Sequence, residues 1–233
     1  MSPTQCTNQL INRLDPASRK VLLKHCDEML LPSGTLLGQP GDVLEYAYFP
    51  SGCVITMMLQ QNDDKGLEVG LIGDEGMLGI GALLGARESP YMLTVQSEGM
   101  VLRIDAEQLL SIIARYPVLE QQLQLYAGVL LQQLAQSSVC NRFHLVQARV
   151  ARIILMFRDR LHSNNMLLTH EILANMLGAR RVGVTKAAGI LQKKLVLRYA
   201  RGQLEVLNGR ALETAACNCY ALDKATYLTV FKN

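Results

Sequence analysis

No apolar run in the sequence approaches the ~18 residues that a membrane-spanning helix needs. Its opening, MSPTQCTNQL, lacks the cationic and apolar regions of a secretory leader. The chain is therefore expected in the cytoplasm, with no membrane partner. GxxxxGK(S/T), the loop that cradles nucleotide phosphates, is missing, and so is GxGxxG: Gly79-x-Gly81 is followed by Leu84 where a third glycine would stand. No HExxH, GxSxG or Cys–His pattern surrounds the histidines, His25, His144, His162 and His170, and His170 is expected to be exposed beside a helix cap. The carboxylate pairs Asp63-Asp64 and Asp74-Glu75 fall in glycine-rich loops and read as solvated turns. With no nucleophile beside a base, the chain reads as a non-enzyme. CxxC is absent too. Cys6, Cys26, Cys53, Cys140, Cys217 and Cys219 are scattered, as expected of reduced, small apolar side chains in a cytosolic protein. Cys217-x-Cys219 stands too isolated for a zinc site and reads as packing or chance, so no metal or cofactor is assigned.

Acidic residues are scarce in one part of the chain only. Residues 142–210 carry 13 Lys and Arg against Asp159, Glu171 and Glu205, a net +10, whereas residues 1–141 carry eight Lys and Arg against 15 acids, a net −7. The overall +3 hides a basic C-terminal module joined to an acidic N-terminal one. Such an asymmetry points to nucleic acid as the partner of the basic module. At 233 residues and 49% apolar content, the chain has room for two folded domains.

The stretch 167–207, LLTHEILANMLGARRVGVTKAAGILQKKLVLRYARGQLEVL, reads as helix, tight turn, cationic helix and β-hairpin. Thr169 suits an N-cap, with Glu171 in the first turn where the helix dipole favours a carboxylate. Ile172, Leu173, Met176 and Leu177 form an apolar face, and Gly178 supplies the turn. In the next helix Val184, Ala187, Ala188 and Leu191 pack inward, leaving Arg180, Arg181, Gly183 and Lys186 outward. That is the pattern of a helix that enters the DNA major groove, where arginine pairs bidentately with guanine. A helical hairpin with a solvated basic face is the competing reading.

Upstream, a helical start from about Asn8 to Met29 gives way after Pro32 to short apolar runs between glycines. Cys53–Leu59, Glu68–Ile72, Tyr91–Gln96 and Met100–Ile104 have strand composition, and turn residues recur as in an antiparallel sandwich or barrel. A helix then starts near Pro117. Its stripe Leu123, Ala127, Leu130 and Leu134 lies beside a second line, Leu119, Tyr126 and Val129. One line is expected on the β domain and the other on a partner helix in a homodimer.

This order of parts resembles the Crp–Fnr transcriptional regulators over nearly the whole chain. The strongest portion is LTHEILANMLGARRVGVTKAAGILQKKLVLRYARGQLEVL. LLPSGTLLGQPGD and Tyr48-Phe49-Pro50 look like the opening strands of the family's β-roll, and IGDEGMLGIGALLG like the loop and short helix over its ligand pocket. The resemblance implies an α+β chain in four parts. These are helices with a jelly-roll-like antiparallel β-roll over 1–116, a dimerisation helix over 117–141, a winged helix-turn-helix over 142–215 and a tail over 216–233.

It also implies site residues. Arg181 matches the guanine-contacting arginine, and Lys186 a basic position that supports base or phosphate contact. Val182 stands where a glutamate is common, which removes cytosine readout and leaves an apolar contact for a thymine methyl. Gly183 replaces a small polar residue. Arg180 and Thr185 are expected on phosphates, Arg198 and Arg201 beside the wing turn on the DNA backbone, and Thr169 is counted among the DNA-binding residues as well. The pocket candidates are Leu78, Gly79, Ile80 and Ser89. The cyclic-nucleotide branch has glutamate where Ile80 stands and an Arg-Ser or Arg-Thr pair near Glu88-Ser89-Pro90, with Arg87 out of register, so cyclic AMP and cyclic GMP are not expected to bind. The iron–sulfur branch needs clustered N-terminal cysteines, whereas Cys6 and Cys26 are twenty residues apart. Nothing selects haem ligation by His25 or His144. The expected partners are double-stranded DNA, a second copy of the chain, an unidentified small-molecule effector and, for an activator, RNA polymerase. Two alternatives stay open: a constitutive DNA-binding protein whose β-roll serves only dimerisation or protein contact, and a redox or haem sensor.

Overall fold

The computed structural model describes residues 7–62, 65–86 and 88–231. The chain divides into two compact units, one of residues 1–57 and 71–130, the other of 58–70 and 131–233. In the first, Asn8 caps α1 (Gln9–Asn12) by accepting from the Ile11 amide, while its own amide donates to the Pro50 and Gly76 carbonyls at 2.9 Å each. Asp15 caps α2 (Pro16–Lys24), with Pro16 in the first turn where no amide hydrogen is required. The helical start expected from about Asn8 to Met29 is two short helices and ends earlier. The cap and proline restart it at residue 16, and Met29 lies in a strand.

The strands are β1 (Asp27–Leu31), β2 (Leu36–Gly38), β3 (Tyr46–Ser51), β4 (Val54–Asn62), β5 (Lys65–Ile72), β6 (Met92–Ser97) and β7 (Gly99–Asp105). They form two sheets, ordered β1-β7-β3 and β2-β6-β4-β5. The pairings of β1 and β3 with β7, and of β2 with β6, are antiparallel. Phe49, Ile55, Leu71, Leu93, Val95 and Val101 are fully buried, so the apolar runs between glycines are the core of an antiparallel β-roll. Asp74 departs from its expected solvated turn. It is buried, and its side chain and backbone carbonyl accept from the side chain and backbone of Gln9 at 3.1 and 2.6 Å. Asp63, Asp64, Arg87 and Cys6 lie outside the described residues.

Asp105 caps α3 (Ala106–Ile113), which is followed by the long α4 (Pro117–Phe143). Leu119, Leu123, Tyr126, Ala127, Val129 and Leu130 are all buried within the single chain, and the Tyr126 hydroxyl donates to the Met77 carbonyl at 3.2 Å. Leu119, Tyr126 and Val129, and the first three residues of the other line, are therefore covered within the chain, while Leu134 stays half-exposed. The apolar residues left exposed on α4 include Leu131, Val139 and Phe143. Among the described residues no helix is long and apolar enough to cross a membrane.

The second unit is built around α5 (Val146–Leu161), whose residues Val150 to Phe157 are all buried. The remaining elements are β8 (Asn165–Leu167), α6 (His170–Met176), α7 (Arg181–Lys193), β9 (Leu197–Ala200), β10 (Gln203–Val206), α8 (Gly209–Ala215) and α9 (Cys219–Val230). β10 lies between β8 and β9 in an antiparallel sheet. Three of the arginines counted in the basic module are buried and turned inward. Arg152 pairs with Asp223 at 2.7 Å and donates to Ser137, Arg149 donates to Asn141 and the Leu177 carbonyl, and Arg160 donates to the Met156 carbonyl. The net charge of residues 142–210 thus overstates what solvent sees.

Candidate nucleic-acid interface

Thr169 Oγ1 accepts from the Ile172 amide at 3.1 Å and starts α6, so the hydroxyl assigned to the DNA surface serves as a helix cap. At the other end Gly178, at φ +55°, lets the Gly178 and Ala179 amides return to the Asn175 and Ala174 carbonyls at 3.2 and 3.0 Å. This double closure ends a helix within one residue and sets the start of the next. In α7 Val184, Ala187, Ala188 and Leu191 are buried, which fixes the opposite face outward. Arg180, Arg181, Val182, Thr185 and Lys186 are exposed there, with Gly183 half-exposed among them. A side chain built on Gly183 would meet nothing within 4 Å. The first turn of α7 thus presents cations, an apolar Val182 at 67% exposure and a helix start with no side-chain cap on one surface.

Besides Thr169, three assigned residues are already engaged locally. Arg181 lies 3.9 Å from Glu171, but both are about 70% exposed, so water screens the pair and it yields readily to a stronger anion. Thr185 Oγ1 is 3.2 Å from His170 Nδ1. His170 is half-buried rather than exposed, edge-on to Tyr199 at 4.7 Å; burial, and then the charge of Arg181, hold its pKa below the usual histidine value. Arg198 forms an ion pair with Glu205, its cross-strand neighbour, and donates from Nε at 2.7 Å. Arg201 and Gly202, at φ +51° and +83°, make the two-residue turn between β9 and β10, and Arg201 stands exposed at its tip. The outward cations of α7 and the hairpin tip include Arg180, Arg181, Lys186 and Arg201, with Lys193 and Lys194 at the far end of α7.

Three of the four effector candidates, Leu78, Ile80 and Ser89, are buried. Leu78 is buried and exchanges backbone hydrogen bonds with Tyr48 at 2.8 and 3.1 Å. Gly79, at φ +98°, packs so closely that a Cβ there would lie 3.1 Å from Ala47 Cα. Ile80 opens a short 3-10 helix, Ile80–Leu84, and is buried. Ser89 is also buried, its hydroxyl accepting from the Tyr91 amide at 3.2 Å.

One constellation escapes a linear reading. Cys217 and Cys219 are not isolated: Cys140 and His144 lie against them, with all four ligand atoms within 4.8 Å of one another. The signals are two short pairs, Cys140-x3-His144 and Cys217-x-Cys219, whose separation by about 70 residues hides that they meet.

Residues 148–215 match the model of the Crp-like helix-turn-helix domain. The c-di-GMP-responsive global regulator CLP of Xanthomonas campestris superposes with a TM-score of 0.67 at 16% identity, over 82% of this chain and 99% of that one. FixK2 of Bradyrhizobium japonicum gives 0.70 at 14% identity over 82% and 98%. A CRP-family transcriptional regulator of Thermus thermophilus gives 0.62 at 17% identity over 81% and 96%. Comparison with curated protein sequences gives no match. The chain has the fold of the Crp/Fnr transcriptional regulators and carries their helix-turn-helix domain.

Proposed function

We propose that this protein is a homodimeric, sequence-specific DNA-binding transcription regulator in which α7 enters the major groove and the β9–β10 hairpin lies on the adjacent backbone. The observation that carries the reading is the first turn of α7, where Arg180, Arg181, Val182 and Lys186 share an exposed face on a helix fixed by a buried one. Arg181 reads a base, Val182 contacts a thymine methyl, and Arg180, Thr185 and Arg201 position the backbone. Thr169 and Arg198 act indirectly, as helix cap and as the cross-strand partner of Glu205. The dimer seam is the exposed Leu131–Val139 line of α4, since the lines around Leu123 and Tyr126 are covered. Cyclic AMP and cyclic GMP are not effectors of this protein, because Ile80 and Glu88-Ser89-Pro90 supply neither the ribose-binding carboxylate nor the phosphate-binding arginine. For an activator, RNA polymerase is the second partner, and the site of action is the cytoplasm.

Anisotropy titration of a mixed-sequence duplex over a salt series tests DNA binding. A steep fall of log K with log salt, as counterions leave about one per neutralised phosphate, is expected. A flat salt dependence or no binding contradicts the reading. Calorimetry with cyclic AMP and cyclic GMP is expected to give no heat of binding, and a micromolar affinity contradicts that part.

A further inference from the structure

The end of α4 and the junction of α8 with α9 bring four chemistry-bearing side chains to one point. Cys140 and His144 lie four residues apart on one helical face, with the His144 amide closing on the Cys140 carbonyl at 3.2 Å. Cys217 lies just beyond α8 and Cys219 opens α9. Cys140 Sγ is 3.5 Å from Cys217 Sγ, and Cys219 Sγ is 3.4 Å from His144 Nδ1. Tetrahedral zinc, with Zn–S near 2.3 Å and Zn–N near 2.0–2.1 Å, needs about 3.8 Å between sulfurs and about 3.5 Å from sulfur to nitrogen. The observed spacings are of that size for a donor set of three sulfurs and one nitrogen, and the 4.8 Å envelope fits one ion rather than a multi-iron cluster.

The surroundings agree. The three thiols are buried, at 1%, 9% and 0% exposure, so a bound ion would be closed off from water. Gln136 Nε2 donates to Cys219 Sγ at 2.9 Å, the kind of outer hydrogen bond that orients a thiolate ligand. Buried Arg149 and Arg152 reach α4 beside the cluster, donating to Asn141 and Ser137. They suit a centre in which three thiolates and one imidazole around a dication leave one net negative charge.

We propose that Cys140, His144, Cys217 and Cys219 form a mononuclear zinc site. Zinc binding displaces the three thiol protons to solvent and leaves His144 Nδ1 as a neutral donor, with no redox step. All four positions come from protein, as in closed structural sites, so the ion ties α9 to the end of α4 and stabilises the second unit. A Cys140–Cys217 disulfide is the competing fate of these thiols. It would leave Cys219 and His144 without a role.

The test is metal analysis of the full chain, purified without a histidine tag under reducing, anaerobic conditions, with X-ray absorption at the zinc edge. One zinc per chain with three sulfur neighbours and one nitrogen neighbour is expected. The metal-stripped, unmutated chain should bind cobalt(II) stoichiometrically, with the ligand-field and thiolate charge-transfer bands of a tetrahedral centre. Cys217→Ser and His144→Ala should lose the ion, while His144→Cys, which supplies a fourth thiolate, and Cys53→Ser should keep it. Because the cobalt titration uses the native sequence, misfolding of a variant does not decide the outcome. Failure of the reduced chain to take up either metal overturns the site. So does full retention of zinc in both Cys217→Ser and His144→Ala.

Discussion

Glu68 illustrates how much a single buried charge governs in this molecule. It sits in β5, wholly enclosed, where burial raises its carboxyl to about 7 against the pull of Arg152 and Arg160, with Asp223 adding to the rise. In the unfolded chain the same group titrates near 4.5. Between those values the folded state holds a proton that the unfolded state has lost, so stability falls as pH rises through the window. The loss is at most roughly 3 kcal/mol, with the pull of Arg152 and Arg160 already contained in the raised value. Urea denaturation at about pH 5 and about pH 7.5 should show this decline, and Glu68→Gln should flatten it. Asp223, also pushed up by burial, keeps part of the slope in the variant. An unchanged slope would remove Glu68 from the account. None of this is legible in the sequence, where Glu68 is one strand residue among others. Its partners come from positions 152, 160 and 223, and only the fold brings them together.

Helix starts and stops, by contrast, are local and readable. Thr169, Gly178 and the apolar spacing of α6 and α7 appear in the structure as cap, turn and buried face because each acts within a few residues. Two glycines of this motif should respond to the same substitution with opposite sign. Gly178 needs positive φ, and a Cβ there would come within 2.9 Å of Leu67 Cδ1. Gly178→Ala should therefore cost about 1 kcal/mol or more. Gly189 lies inside α7 with open space around it. Gly189→Ala should stabilise the unit by about 0.5–1 kcal/mol, since alanine loses less backbone freedom in a helix. Chemical denaturation of the two variants reads both shifts; equal signs would contradict the assigned turn. The long helix is less legible. An apolar stripe announces that something covers it but not what, and on α4 the cover at Leu123, Tyr126 and Leu130 is the chain itself. The N-terminal helix differs for a related reason: periodicity over 8–29 does not register that Asp15-Pro16 is a new start.

At the scale of the whole molecule, the charge split between the halves is the feature that points to DNA, and the structure redistributes it. Arg149, Arg152 and Arg160 hold the second unit together from inside, while Arg180, Arg181, Lys186 and Arg201 remain outward. A linear count cannot separate structural cations from presented ones, because that division depends on which face each helix buries. The same limit hides the Cys140–His144–Cys217–Cys219 cluster, assembled from two ends of the unit. Sequence-specific reading of DNA by a two-fold dimer is the central claim, and selection from randomised duplexes at physiological salt tests it most directly. The unmodified protein should enrich a palindrome whose half-sites are about 10 base pairs apart, and Arg181→Ala should lose roughly 1–3 kcal/mol of discrimination at one position of each half. Enrichment of no sequence by the unmodified protein, or a preference that Arg181→Ala leaves intact, would contradict the assignment of α7 as the reading helix.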